Sequence, residues 1–177
     1  RDQSSKIGYV MQNPDDQIVT DKVWHELAFG LESLGCDQKT MRARVAEMAC
    51  YFGIQDWFHR DVAVLSGGQK QLLNLASVMV MKPKVLVLDE PAAGLDPRGR
   101  REILGGLSTY AKECDASVIL VSHSMEDMAH YCDNVVVMNN AELYRSGSVE
   151  EIFRDHESLA SVGLDVPAIS RIVARLA

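Results

Sequence analysis

The run Val85-Leu86-Val87-Leu88 constrains the fold more than any other feature of this sequence. It lies between Pro83 and an acidic pair at positions 89 and 90, so it has the length of a strand and is too short for a membrane-spanning helix. Uninterrupted apolar strands are typical of parallel sheets that are covered on both faces. We therefore predict a strand over residues 85–89 that is buried on both sides.

Helical and strand patterns alternate on either side of this run. Apolar residues recur at steps of three and four in some segments, and β-branched residues cluster in others. Strands are predicted at 6–11, 117–121, 134–138 and 142–144, and helices at 21–35, 38–52, 66–81 and 97–112 and after Ser124, with Asp37, Ser66, Asp96 and Ser124 as capping residues. This alternation predicts a parallel, doubly wound α/β sheet.

The same patterns predict how the chain is organised. Residues 1–17 and 61–147 form the sheet and its helices, and residues 18–60 form an all-helical subdomain inserted into it. Residues 148–177 form a helical tail whose last segment begins at Pro167. A chain of 177 residues with 47% hydrophobic content fits one domain with such an insert.

Composition excludes several classes of function. The net charge of −7 argues against binding to a nucleic-acid backbone. The four cysteines form no C-x-x-C pair, so zinc binding is not indicated. No apolar run approaches the length of about 18 residues that a membrane span needs, so we expect any membrane role to come through a partner.

The segment L-S-G-G-Q-K-Q at residues 65–71 predicts an anion-binding site. Ser66 is placed to cap a helix whose free N–H groups carry partial positive charge, and Gly67 and Gly68 leave the backbone open to a phosphate. A plain helix cap is the alternative interpretation of an isolated S-G-G sequence.

The acidic pair at the end of the central strand predicts chemistry on such a phosphate. Asp89 resembles the acid that helps hold Mg²⁺ at this position in P-loop NTPases, and Glu90 is then suited to act as a general base on an attacking water. An ordinary acidic strand-to-turn junction is the alternative for the pair taken alone.

Four motifs together resemble the ATPases of the ABC family, which have the P-loop NTPase fold. They are residues 65–71, V-L-V-L-D-E-P at 85–91, A-G-L-D-P at 93–97 and V-S-H at 121–123. The resemblance implies ATP and Mg²⁺ as cofactors. It also implies that Ser66, Gly67, Gly68 and Gln69 contact ATP, Asp89 contacts Mg²⁺, Glu90 is the catalytic base, Asp96 faces the opposite subunit, and His123 senses the γ-phosphate. Residues 9–17 resemble the family's Q-loop, which implies that Gln12 contacts Mg²⁺ or water and links the nucleotide to the helical insert.

Gln12 is followed by N-P-D-D-Q at residues 13–17, and G-L-D-V-P stands at 163–167. Both segments resemble the energy-coupling-factor branch of the family, which drives uptake of micronutrients and of cobalt or nickel. This resemblance implies a transmembrane partner that docks on residues 18–60, a second ATPase subunit, and a peripheral position on the cytoplasmic face of the membrane. Leu72, Asn74 and Ala92 differ from the residues that are common in relatives.

The family's phosphate loop, G-x-x-x-x-G-K-[ST], should precede Gln12, but the sequence contains no Gly-Lys dipeptide. We therefore expect a fragment that lacks the N-terminal part of the sheet and that neither binds ATP tightly nor hydrolyses it alone. We also expect unpaired apolar strand edges, and with them self-association, strand exchange or a repacked sheet.

Two other classes of function stay open at this stage. A soluble ABC ATPase of translation or DNA repair would normally show long coiled-coil insertions or basic surfaces. A catalytically silent regulatory module would not need Gln12, Glu90 and His123 together.

Overall fold

The structure, a computed structural model, describes residues 6–164. The chain divides into two compact units, Arg1–Val121 and Ser122–Ala177. Within the described residues, no helix has both the length and the apolar character that crossing a membrane requires. The boundaries predicted at residues 17, 60 and 147 stay predictions.

The first unit alternates helices and strands as the sequence predicts. Its elements are β1 (Ile7–Val10), α1 (Val23–Ser33), α2 (Gln38–Tyr51), α3 (Gly67–Met79), β2 (Val85–Asp89), α4 (Pro97–Glu113) and β3 (Ser117–Val121), with short 3-10 turns at Pro14–Asp16, Gln55–Trp57 and Val62–Val64. Each predicted element is present, and the bounds differ by at most two residues.

The three strands form a parallel sheet in the order β1-β2-β3. Two right-handed crossovers that advance in the same direction place their helices on the same face of a sheet. Accordingly, α3 packs on β1 and α4 packs on β3. The side chains of Val10, Leu86 and Leu88 are fully buried on the covered face.

The opposite face of this sheet is largely exposed. Ile7, Tyr9, Ile119 and Val121 are each about half exposed, and Tyr9 and Ile119 share a register row with Val87. The prediction that residues 85–89 are buried on both faces is wrong for the described part of the chain, because Val87 is only partly buried. Both connections of the sheet run over one side, so the apolar run has one covered face.

The ends of the helices in this unit follow from local chemistry. The Asp37 carboxylate accepts hydrogen bonds from the Thr40 hydroxyl and from the backbone N–H groups of Lys39 and Thr40, and these bonds hold the pKa of Asp37 below its ordinary value. Gly35 and Gly53, with φ of 73° and 64°, end α1 and α2 in the left-handed conformation.

Tyr110 of α4 fixes the chain ahead of β2. Its hydroxyl donates to the carbonyl oxygen of Pro83 at 3.3 Å, and the side chain is buried. Burial raises the pKa of Tyr110 to about 12 because the ionised form would lose its hydration.

The second unit contains α5 (Met125–Tyr131), β4 (Asn134–Asn139), β5 (Glu142–Ser148), α6 (Val149–Arg154) and α7 (His156–Ser161). The two strands form an antiparallel hairpin whose turn residues, Asn140 and Ala141, both have positive φ. β5 extends past its predicted end at Tyr144, because pairing with β4 continues through a polar, glycine-containing stretch. The predicted segment at Pro167 lies outside the described residues.

Candidate functional site

The loop at the start of α3 has the cap that the sequence predicts. The Ser66 hydroxyl accepts from the Gln69 N–H at 3.3 Å, and the Gln69 side-chain oxygen accepts from the Ser66 N–H at 3.0 Å. This reciprocal pair satisfies two backbone donors. Gln69, predicted to contact ATP, is therefore occupied in shaping the loop.

The two glycines of this loop face different surroundings. Apart from its chain neighbours and the backbone of its own helix, no described atom lies within 4 Å of the position that a Cβ on Gly67 would take, so its backbone is open to an incoming group. A Cβ on Gly68 would lie 3.2 Å from Cδ2 of Leu95. The first glycine leaves space for a ligand, and the second lets another segment of the chain approach closely.

Asp89 and Glu90 stand at the carboxyl end of β2, where the chain leaves the sheet. Glu90 has a φ of 46°, a left-handed conformation that is rare for a residue with a side chain. Its N–H donates to the Val121 carbonyl at 2.9 Å, and its own carbonyl accepts from the Ala93 N–H at 3.0 Å. Such conformations cost energy and concentrate at functional sites.

Gln71 connects α3 to this turn. Its side-chain Nε2 donates to the carbonyl oxygen of Pro91 at 3.0 Å, and the residue is only 4% exposed. No role for Gln71 could be predicted from the sequence. It follows the polar residues Gln69 and Lys70 at the start of α3, so no local pattern marks it as buried or names its partner.

Asp96 begins α4 as predicted. Its carboxylate accepts from the Gly99 N–H at 2.7 Å, and Pro97 occupies the first turn. The predicted contact of Asp96 with an opposite subunit stays a prediction.

Gln12 lies in an exposed loop that another glutamine closes. The Gln17 side chain donates to the Tyr9 carbonyl and accepts from the Met11 N–H, both at 2.8 Å. The Gln17 side chain thus pairs with the backbone on either side of Val10, as a neighbouring strand would. Gln12 lies just beyond this end of β1. Gln17 belongs to the N-P-D-D-Q segment, but its role could not be predicted from the sequence.

The chain after Gln12 is anchored to two helices. Lys70 of α3 forms an ion pair with Asp15 at 2.5 Å. The buried Glu26 of α1 accepts from the N–H groups of Val19 and Thr20 at 3.2 and 2.9 Å. An open cleft of about 340 Å³ lies beside these contacts. It is lined by Asp15, Ile18, Thr20, Asp21, Asp61, Val62, Ala63 and Lys70.

His123 belongs to the second unit. It is exposed and lies between β3 and α5, next to Ser124, whose hydroxyl caps α5 and whose N–H donates to the Ser122 hydroxyl at 3.1 Å. Its role as a phosphate sensor stays a prediction.

The residues predicted to contact Mg²⁺ occupy neighbouring strand ends. Leu88 is the last β2 residue that pairs with β1, and its partner is Val10. Asp89 directly follows Leu88, and Gln12 lies two residues past Val10. Carboxylate and amide oxygens suit Mg²⁺, which commonly binds proteins through one or two side chains. Among residues 6–164 there is no group of three His, Cys, Asp or Glu side chains suited to a metal. One carboxylate and one amide at neighbouring strand ends suit a cation that takes its other ligands from phosphate and water.

Residues 1–93 match the family model described as "ABC transporter". The chain belongs to the ABC transporter family. The match covers the loop at the start of α3 and the acidic end of β2.

Two relatives and one solved structure are similar to this ABC transporter chain over most of its length. It is 38% identical over 173 residues to the energy-coupling factor transporter ATP-binding protein EcfA2 of Clostridium perfringens, covering 97% of this chain and 61% of that protein. It is 39% identical over 169 residues to a putative ABC transporter ATP-binding protein of Bacillus cereus, covering 96% of this chain and 31% of that protein.

The fold matches a solved structure of cbiO1 from Clostridium perfringens, described as part of the ABC transporter complex cbiONQ. The TM-score is 0.78 at 35% identity, over 96% of this chain and 68% of that one. The predicted α/β fold of the ABC ATPases is confirmed by this match. The chain spans about 61% of the length of the first of these relatives.

Proposed function

We propose that this chain is part of the ATP-hydrolysing subunit of an ABC importer of the energy-coupling-factor type. The observation that carries the proposal is the turn at the end of β2, where Asp89 is followed by Glu90 in a left-handed conformation tied to the end of β3. A strained acidic residue held by hydrogen bonds is suited to act on a group placed beyond the strand end.

Each side chain would make its own contribution to hydrolysis. Glu90 would accept a hydrogen bond from the attacking water and so orient it toward the γ-phosphate. Asp89 and Gln12 would hold Mg²⁺. When bound, Mg²⁺ neutralises charge that develops on the phosphate oxygens. His123 would donate a hydrogen bond to a γ-phosphate oxygen and lose that partner after hydrolysis.

The loop at the start of α3 would act on a nucleotide held by a second ATPase subunit. Ser66 and Gly67 are exposed, and the space above Gly67 is open. Backbone N–H groups at the start of a helix of 13 residues favour an anion there. In this arrangement the functional unit is a homo- or heterodimer, and Asp96 faces the opposite subunit.

The transport role would come through a transmembrane partner that docks on residues 18–60. The relative named as an energy-coupling factor transporter ATP-binding protein supports this assignment. The protein would lie peripherally on the cytoplasmic face of the membrane, and the cargo would be a micronutrient or a metal ion such as cobalt.

The 177-residue polypeptide alone should show no measurable turnover. It contains no Gly-Lys dipeptide and therefore no phosphate loop whose lysine could hold the β- and γ-phosphates. Phosphate release from this polypeptide with saturating Mg²⁺ and ATP measures the point directly, and robust turnover would show that another group holds the phosphates.

The proposed function is tested on the native protein purified with its membrane partner. We expect ATP-dependent phosphate release that Glu90→Gln lowers by about 10²- to 10⁴-fold, the usual contribution of a general base. The matched control is Glu102→Gln, an exposed acid of α4 paired with Arg98, which should keep full activity. Absence of hydrolysis by the wild-type complex, or full activity of Glu90→Gln, would refute the proposal.

A further inference from the structure

We propose that Gln71 is a positioning residue for Glu90, and that the first turns of α3 hold the Glu90–Leu95 segment in a fixed position. The inference rests on the proposed function, in which Glu90 acts on this chain's own nucleotide while the Ser66–Gly68 loop contacts the nucleotide of a second subunit. One helix then joins the catalytic turn of one site to the ligand-binding loop of the other.

The first contact is the hydrogen bond from Gln71 to the carbonyl oxygen of Pro91. Gln71 is 4% exposed and Pro91 is buried, so water does not compete for either group. Pro91 directly follows Glu90 and has no N–H of its own. Its carbonyl is therefore the nearest backbone group after Glu90 through which α3 can hold the turn.

The second contact is steric. Cδ2 of Leu95 approaches the backbone of Gly68 so closely that a Cβ there would lie only 3.2 Å away. Gly68 and Gln71 are three residues apart on α3, so they lie on neighbouring parts of one helical face. The helix thus touches the turn at Pro91 and at Leu95, one residue past Glu90 and five residues past it.

The third contact holds the other side of the turn. The Glu90 N–H donates to the Val121 carbonyl at the end of β3, at 2.9 Å. Glu90 therefore sits between an attachment to the sheet and an attachment to α3, in a backbone conformation with φ of 46°. A shift of the start of α3 against the sheet would act on this residue directly.

A second buried amide on α3 shows that burial alone does not give Gln71 this role. Asn74 lies three residues further along the helix and is fully buried, yet within residues 6–164 neither its side-chain nitrogen nor its side-chain oxygen has a hydrogen-bond partner. Asn74 therefore provides a control on the same helix that removes an amide without removing a contact to the turn.

Hydrogen–deuterium exchange tests the contact without reference to ATP hydrolysis. In Gln71→Leu, the amides of residues 92–95 should exchange at least about fivefold faster, as expected for the loss of one buried hydrogen bond. Those of α2 should not change. Asn74→Ala should leave the exchange of residues 92–95 as in the wild type. Unchanged exchange in Gln71→Leu overturns the inference, whatever the protein hydrolyses.

Turnover by the complex with its membrane partner tests the consequence for Glu90. Gln71→Leu should lower kcat about tenfold, because small displacements of a catalytic group are costly, and should leave the KM for ATP unchanged. Asn74→Ala should keep the wild-type kcat. Faster exchange with an unchanged kcat would refute the positioning role. Inactivity of the wild type would instead refute the proposed function.

Two further variants keep the test decisive if Gln71→Leu does not fold. Gln71→Glu keeps the shape of the side chain, but its carboxylate cannot donate to the Pro91 carbonyl. Leu95→Ala removes the second contact and leaves Gln71 in place. Both should raise exchange in residues 92–95 and lower kcat in the same direction, and wild-type behaviour of both would overturn the inference.

Discussion

The carboxyl ends of β1 and β2 lie side by side in the sheet but are held by different kinds of contact. The turn after β2 is tied down by the buried hydrogen bond from Gln71 and by the Glu90 bond to β3. The loop after β1 is closed by Gln17 on an exposed surface. Exposed polar contacts open at a lower cost than buried ones. The Gln12 loop is therefore the more easily displaced of the two.

Glu26 of α1 is buried and holds the chain that follows β1, so its removal should have the largest effect on stability. Glu26→Ala deletes a carboxylate that accepts from Val19 and Thr20, and we expect the free energy of unfolding to fall by about 2–3 kcal/mol. Urea denaturation followed by circular dichroism measures this change.

The control for this prediction is Glu32→Ala, which removes an exposed acid of the same helix paired with His25 at 3.6 Å. It should change the free energy of unfolding by less than about 0.5 kcal/mol. Equal effects of the two variants would show that Glu26 does not anchor the chain after β1, and the loop after β1 would then be held by exposed contacts more fully than the turn after β2.

Replacing Glu90 by glycine tests whether the backbone of the turn after β2 is strained. Glu90→Gly removes the penalty of a side chain at φ of 46°, and this gain exceeds the entropy cost of glycine. We expect the free energy of unfolding to rise by about 1–2 kcal/mol while ATP hydrolysis is lost. Denaturant midpoints and phosphate release measure the two effects.

Glu90→Gln is the matched control, because it keeps the side chain and the strain. It should lose activity without gaining stability. A Glu90→Gly variant that is less stable than the wild type would mean that the turn holds its conformation without strain.

Local features of this molecule could be predicted from the sequence, and contacts between distant segments could not. Asp37, Ser66 and Asp96 were predicted as helix caps, because a cap and its N–H partners lie within three residues. The Gln71–Pro91 bond joins residues 20 apart. Its partner depends on which strand end faces α3, which no local pattern determines.

The exposed sheet face has a similar origin. The apolar run at 85–88 predicts a strand but not the side on which the crossovers pass. That side is decided by the handedness of the connections and by the strand order β1-β2-β3. Among the candidate site residues, the position of Asp89 and Glu90 at the end of a strand could be predicted, whereas the left-handed conformation of Glu90 could not.

Asn74 of α3 should respond to substitution with the opposite sign to Glu26. Its buried side-chain amide has no hydrogen-bond partner in the part of the chain that the structure describes, so it lowers stability relative to an apolar side chain. Asn74→Ala should raise the free energy of unfolding by about 1 kcal/mol after the small cavity is counted. Thermal unfolding measures the change, and a loss of stability would reveal a buried water or another partner for the amide.

The Lys70–Asp15 ion pair, which joins α3 to the loop after β1, should have the smallest effect, because one of its two side chains is largely exposed. The Asp15 side chain is 62% exposed, so solvent and salt screen the pair. A double-mutant cycle with Asp15→Asn and Lys70→Met should give a coupling energy of about 0.5 kcal/mol at low salt that falls toward zero at roughly 1 M salt. A salt-independent coupling above about 1.5 kcal/mol would show that the pair behaves as a buried contact. The loop after β1 and the turn after β2 would then be held with similar strength, and the Gln12 loop would not be the more easily displaced of the two.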